Sequence, residues 1–145
     1  MEPTDGRWQQ GNVVRGLHLA DETKTAVAEW YRFLAERGLP PAHAVPHDHH
    51  VWKLDLELAD LRSARRLAAL GLDLPSPGSR TWQSYQEVGE TLWREGWAGL
   101  LTRSAARPEA FVACVFAAKW PPDGCAPKLA IEITGVPVPP TGMTT

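Results

Sequence analysis

Four side chains are of the right type to act on a phosphate-bearing nucleotide with a reactive sugar: Arg7, Glu29, Ser104 and His18. A guanidinium offers a rigid fork of donors that matches phosphate oxygens, which makes Arg7 the candidate phosphate clamp. An ionised carboxylate stabilises positive charge that develops on a sugar ring when its glycosidic bond breaks, and Glu29 is the candidate for that role. Ser104 follows a strand-like run, where its hydroxyl can hold an amide or a ribose hydroxyl. With no histidine or aspartate partner identifiable beside it, it is not read as a nucleophile. The flat ring of His18 can stack on a heterocycle and would bring sensitivity to pH near neutrality.

Each of the four also has a plainer reading. Arg7 can be a surface arginine, and Glu29 can pair with Arg32 or Lys24 on its own helix, a contact of a few tenths of a kcal/mol. Ser104 can cap the turn after its strand. His18 can be a core histidine bonded to a backbone carbonyl.

The elements that must position these residues follow from periodicity and punctuation. Residues 13–20, VVRGLHLA, are predicted to form a strand. Asp21 is placed to cap a helix over 22–37, which Gly38, Pro40 and Pro41 end. Ala26, Trp30, Phe33 and Leu34 form its apolar stripe, and Glu29 projects from that stripe or its edge, so it must be paired, hydrogen-bonded or functional. Residues 39–50 read as a loop holding four of the five histidines, His43, His47, His49 and His50. No cysteine or carboxylate set lies at a ligand spacing, so metal is a minor reading and no metal site is assigned. Residues 51–58 alternate as a half-buried strand, with Trp52, Leu54, Leu56 and Leu58 on one side. A helix is expected over 60–70, with Leu61, Ala64, Leu67 and Ala68 inward and Arg62, Arg65 and Arg66 on a solvated face. Another is expected over 80–94 after a Ser79 cap, with Trp82, Tyr85, Val88 and Leu92 inward. Buried strands are expected at 97–101, 111–118 and 128–136, and a disordered tail at 137–145.

Strands interleaved with helices in this order give an α+β fold in a compact single domain, and 145 residues are enough for one core. A net charge of −2, from 15 basic and 17 acidic residues, gives no footprint for direct nucleic-acid binding. No apolar run approaches the roughly 18 residues of a membrane span, and the first ten residues lack a secretory pattern, so a cytoplasmic chain is expected. The two cysteines, Cys114 and Cys125, suggest reduced thiols. Seven scattered tryptophans read chiefly as packing residues. Neither GxGxxG nor GxxxxGK[ST] occurs, and GxSxG and HExxH are also absent, which removes the commoner nucleotide-binding and hydrolase classes.

GRW near the start, LHLADETKTAVAEW after it, and WAGLLTRSAAR leading into FVACVF resemble the RES domain, a family of bacterial toxins named for its arginine, glutamate and serine. The resemblance spans about residues 6–118, and a RES-like domain is drawn at 6–136. It implies a fold related to ADP-ribosyltransferases and degradation of NAD+ by hydrolysis or by phosphorolysis, with inorganic phosphate as co-substrate in the second case. It also implies neutralisation by an Xre-type helix-turn-helix antitoxin. Arg7, Glu29 and Ser104 would be the naming residues. Arg7, His18 and Ser104 would contact the dinucleotide. His18 stands where the family generally shows a tyrosine, and only six residues precede Arg7 where relatives have a longer lead. A catalytically impaired binding module and a mono-ADP-ribosyltransferase are the alternatives, and a homo-oligomer is left open.

Overall fold

The computed structural model describes residues 4–144. Its elements in chain order are β1 (Arg15–Ala20), α1 (Thr23–Glu36), β2 (His47–Leu54), β3 (Ala59–Asp60), α2 (Ala64–Ala69), α3 (Trp82–Arg94), β4 (Gly99–Arg103), β5 (Phe111–Ala117) and β6 (Cys125–Ile133). Four strands form one sheet in the order β1-β5-β4-β3, while β2 and β6 make a separate two-stranded ribbon. All pairings are antiparallel except the short β3–β4 contact. This is the expected α+β class.

Register decides which residues share a face of the main sheet. His18 lies opposite Cys114, which lies opposite Leu100; Ala20 lies opposite Val112, which lies opposite Thr102. Because alternate residues point to opposite faces of a strand, these side chains share one face with Phe116. The principal core gathers there from Trp8, Leu61, Leu67, Tyr85, Leu100, Cys114 and Phe116. The other face carries Leu17 and Val115, covered by Trp52, Leu54, Leu56 and Leu58, so the alternation of 51–58 does mark a buried side.

Several boundaries differ from expectation for identifiable reasons. β2 begins at His47, which puts His47, His49 and His50 in a strand rather than a loop. β6 pairs only with β2 and is exposed along most of its length, where burial was expected, because among the described residues no strand pairs along its other edge. The helix expected from residue 60 begins at Ala64: β3 claims 59–60, the Asp60 carboxylate pairs with Arg62 and Arg66, and Ser63 accepts from Arg66 N as cap. Ala64 and Ala68 are consequently exposed. β4 runs two residues later than expected because its register with β5 extends to the Arg103–Phe111 pair. α1 has Glu22 at its N-cap, while the Asp21 side chain instead accepts from Phe111 N. Over the described residues 137–144 no regular element forms, yet Pro137 O accepts from Tyr31, and Thr144 bonds the carbonyls of Ala105 and Ala106.

The amino-terminal segment is docked on α3 and completes the core. Trp8 is 3 % exposed and meets Tyr85 edge-on, and Gln86 Nε2 donates to Gly6 O at 2.9 Å. The approach is so close that only a glycine at position 89 permits it: a Cβ there would lie 1.8 Å from Trp8 O. Gly89→Ala is therefore expected to push the segment off α3 and cost about 1–3 kcal/mol. A urea melt of the variant checks this, and an unchanged midpoint would refute the close contact.

Candidate active site

The cleft lies on the core-bearing face of the four-stranded sheet. His18, Ala20, Val112, Cys114 and Thr102 contribute from the sheet, α1 supplies a wall, and the segment Thr4–Trp8 with Trp82 completes it. Its volume is ≈ 340 Å³, within the roughly 300–1,000 Å³ usual for small-molecule sites. Ala26, Glu29, Trp30, Phe33 and Arg37 recur at helical spacing on the α1 wall. The stripe read as core-facing is thus largely cleft-facing. Thr25, Ala28 and Leu34 are the buried residues of α1, and Phe33 is 45 % exposed beneath the Arg37 guanidinium.

Glu29 is the most heavily constrained group. Its Oε2 accepts from Arg32 Nε at 2.8 Å and Nη2 at 2.6 Å, and its Oε1 accepts from Ser104 Oγ at 2.6 Å. Each carboxylate oxygen has two accepting positions, so one on Oε1 stays open after these contacts. Arg32 also donates to Glu36 at 2.6 Å, and Glu36 accepts from Gly78 N at 3.1 Å. Burial alone would lower the pKa of Arg32, but the two carboxylates outweigh it and hold the pKa above its ordinary value.

Ser104 sits just past β4 and is fully buried, and it does not line the cleft. Its hydroxyl donates to Glu29 and accepts from Arg107 N at 3.0 Å. Arg107 in turn pairs with Glu22 and donates to Thr25 Oγ1 at 3.0 Å, fastening the turn after β4 to the start of α1. The turn-capping reading of Ser104 therefore holds together with a contact to Glu29. The reading in which its hydroxyl meets a ligand does not match this geometry, because the group has no surface left to offer.

Arg7 is 7 % exposed. Its Nη2 donates to Ser76 O at 2.5 Å and its guanidinium lies 5.1 Å from the Tyr85 ring centroid, whereas Nη1 is buried with no protein acceptor. Burial first, then the charge of Arg32, lowers its pKa against the opposing pull of Tyr85, Glu36 and Glu29. Arginine still stays charged at neutral pH. The lowering marks a buried cation short of counter-charge.

His18 presents its ring beside Gly6 and Gly16, where any Cβ would collide with it, and the ring remains open to solvent in the cleft. Burial of the ring by the cleft walls lowers its pKa from 6.5, as does the charge of Arg32, against the opposing pull of Glu29. The Cys114 thiol beneath is pushed up to about 12 by burial, so it is an unreactive part of the floor. Among the described residues no group of three or more candidate metal ligands assembles, and His47 stacks on Trp30 instead. No helix among them is long and apolar enough to cross a membrane.

Arg7, His18 and Glu29 thus share one hollow. Sequence reasoning named Arg32 only as a plain ion-pair partner of Glu29, a pairing that the structure shows, placed Trp82 among core residues, and missed Glu36. Glu29, Arg32 and Glu36 were legible as an acid–base–acid series at three- and four-residue spacing on one helix, whereas nothing local distinguished Trp82 from a core tryptophan.

The RES domain family model matches residues 1–132. Among solved structures, the chain resembles one in the crystal structure of the M. tuberculosis MbcT–MbcA toxin–antitoxin complex. The TM-score is 0.76 at 19 % identity, over 92 % of this chain and 74 % of that one, a likeness of fold. No curated protein matches the sequence.

Because Glu29 raises the His18 pKa, Glu29→Gln is expected to lower it further below 6.5. An NMR titration of the ring protons reads this directly. An unchanged midpoint would mean that the two groups do not face one another across the cleft.

Proposed function

The chain belongs to the RES domain family, and on that premise we propose that it is a toxin-like enzyme that degrades NAD+ and is held in check by an Xre-type antitoxin. The observation that carries this reading is the shared cleft of Arg7 and Glu29, with Arg7 Nη1 unbonded and Glu29 fixed. The likeness to a toxin–antitoxin complex gives it a fold-level parallel.

In the proposed reaction the bond between the nicotinamide nitrogen and ribose C1′ breaks. The electron pair stays on nicotinamide, which leaves neutral, and the sugar passes through an oxocarbenium-like state. The Glu29 carboxylate stabilises that charge and can accept a ribose hydroxyl at its open Oε1 position. Water then attacks C1′ and releases a proton, or phosphate attacks and retains the sugar as its ester. Arg7 meets the pyrophosphate through Nη1, its Nη2 being held by Ser76 O. His18, in a cleft that favours its neutral form, is a flat surface for the nicotinamide ring. Ser104 acts through Glu29 as a positioning residue.

Purified chain incubated with NAD+ is expected to release nicotinamide, and dependence of the rate on added phosphate separates phosphorolysis from hydrolysis. Glu29→Gln should lower kcat about 10²–10³-fold. Arg7→Lys should raise KM by about 10-fold or more, since hydrogen bonds to charged groups contribute about 1.5–3 kcal/mol. No nicotinamide from the wild-type chain under either condition sinks the reading, and label appearing on a protein acceptor would assign a mono-ADP-ribosyltransferase instead. In cells, expression should arrest growth and Glu29→Ala should relieve the arrest.

Ser104→Ala separates positioning from binding. Loss of its hydrogen bond to Glu29 should reduce kcat about 10-fold, since one such bond to a charged group contributes about 1.5–3 kcal/mol, while KM moves little. A rise in KM with kcat intact would show instead that the hydroxyl meets the substrate.

A further inference from the structure

Among the described residues, four buried side-chain polar atoms have no partner: Arg7 Nη1, Gln9 Oε1, His47 Nδ1 and Trp82 Nε1. The residues of only two of these line the cleft, Arg7 and Trp82, and both orphaned atoms are donors. A buried N–H without an acceptor is costly, and two such donors on residues that line one hollow mark a wall whose small adjustment would offer them to an acceptor from outside.

The surroundings of Trp82 specify the character of that acceptor. Trp82 is the first residue of α3, a helix of 13 residues with no acidic residue in its first turn and no side-chain bond from its N-cap, Thr81. The positive end of the helix dipole therefore has neither a capping side chain nor a first-turn carboxylate where Trp82 lines the cleft. Arg7 adds a buried cation short of counter-charge, on an independent element. Indole and guanidinium donors beside a helix N-terminus together favour an anionic oxygen over a neutral one.

Resting on the NAD+ reading, we infer that Trp82 is a ligand-binding residue, its indole N–H joining Arg7 Nη1 in holding the diphosphate of the dinucleotide. The ring and the N–H make separable contributions. Trp82→Phe keeps an aromatic wall and removes only the donor, so binding should weaken for phosphate-bearing ligands and not for a bare nucleoside.

Calorimetry with ADP and with adenosine tests this, alongside nicotinamide release from NAD+. Trp82→Phe is expected to weaken ADP binding by about 10-fold or more, as loss of a bond to a charged acceptor does, and to leave adenosine binding unchanged. A variant that binds ADP as tightly as the wild type overturns the role of Trp82. The NAD+ reading survives that result if nicotinamide release persists. A wild-type chain that releases nicotinamide but does not bind ADP likewise overturns the Trp82 role alone, and one that does neither overturns both. Should the variant not fold, the labelled wild-type chain decides: the Trp82 indole N–H resonance should shift on addition of ADP, and a resonance that stays in place refutes the contact.

Discussion

An ionised carboxylate held in a partly enclosed cleft must be given partners, and the partners of Glu29 organise the site. Arg32 meets one oxygen with two donors and Ser104 meets the other, leaving the Glu29 side chain 21 % exposed and fixed in direction. Those contacts tie together three separate parts of the chain. Arg32 reaches Glu36, which receives the backbone of Gly78. Ser104 receives the backbone of Arg107, which grips Glu22 and Thr25 at the head of the same helix. Charge-assisted bonds of this kind fix geometry as well as adding stability, and the role proposed for Glu29, to meet a developing charge, is one that needs fixed geometry most.

Arg7 depends on a different support. Its ionic environment is poor, but its backbone is secured by the packing of Trp8 against Tyr85, by the Gln86 bond to Gly6, and by the glycine at position 89. Apolar burial of the neighbouring tryptophan thus holds a cation where electrostatics alone would not. The same loop serves both charges, since Ser76 O receives Arg7 and Gly78 N donates to Glu36. A shift of residues 76–78 would be felt at both ends of the cleft chemistry.

The sequence made the element types and several faces legible, because periodicity is a local property. The strand at 13–20, the helix after Asp21 and the inward side of 51–58 were readable in that way, although the strand expected over 51–58 runs from His47 and stops at Leu54, leaving 55–58 outside any strand. What stayed hidden was non-local. The apolar residues of α1 at 26, 30 and 33 read as core because an apolar stripe at helical spacing looks the same whether it lines a cleft or a packed interface. β6 has the composition of a buried strand, yet its burial depended on neighbours that the topology does not supply. Ser104 was visible as a hydroxyl at a strand end. That it faces Glu29, 75 residues away in sequence, follows only from the register of β4 and the turn after it.

The choice of a serine as the second partner of Glu29 has an electrostatic logic. A second cation would order the carboxylate equally well but would cancel the negative charge that the proposed reaction sets beside the sugar. A hydroxyl supplies direction and adds no charge. Arg32 does carry charge, but it divides that charge between Glu29 and Glu36, so the cluster of two acids and one base stays net negative. Glu36 then has a function beyond a surface ion pair: by engaging the far side of the Arg32 guanidinium, it limits how far that group neutralises Glu29. The cleft thereby keeps an under-compensated anion on α1 and an under-compensated cation at Arg7 within one hollow. That separation of charge matches a ligand that carries phosphate at one point and develops positive charge at another.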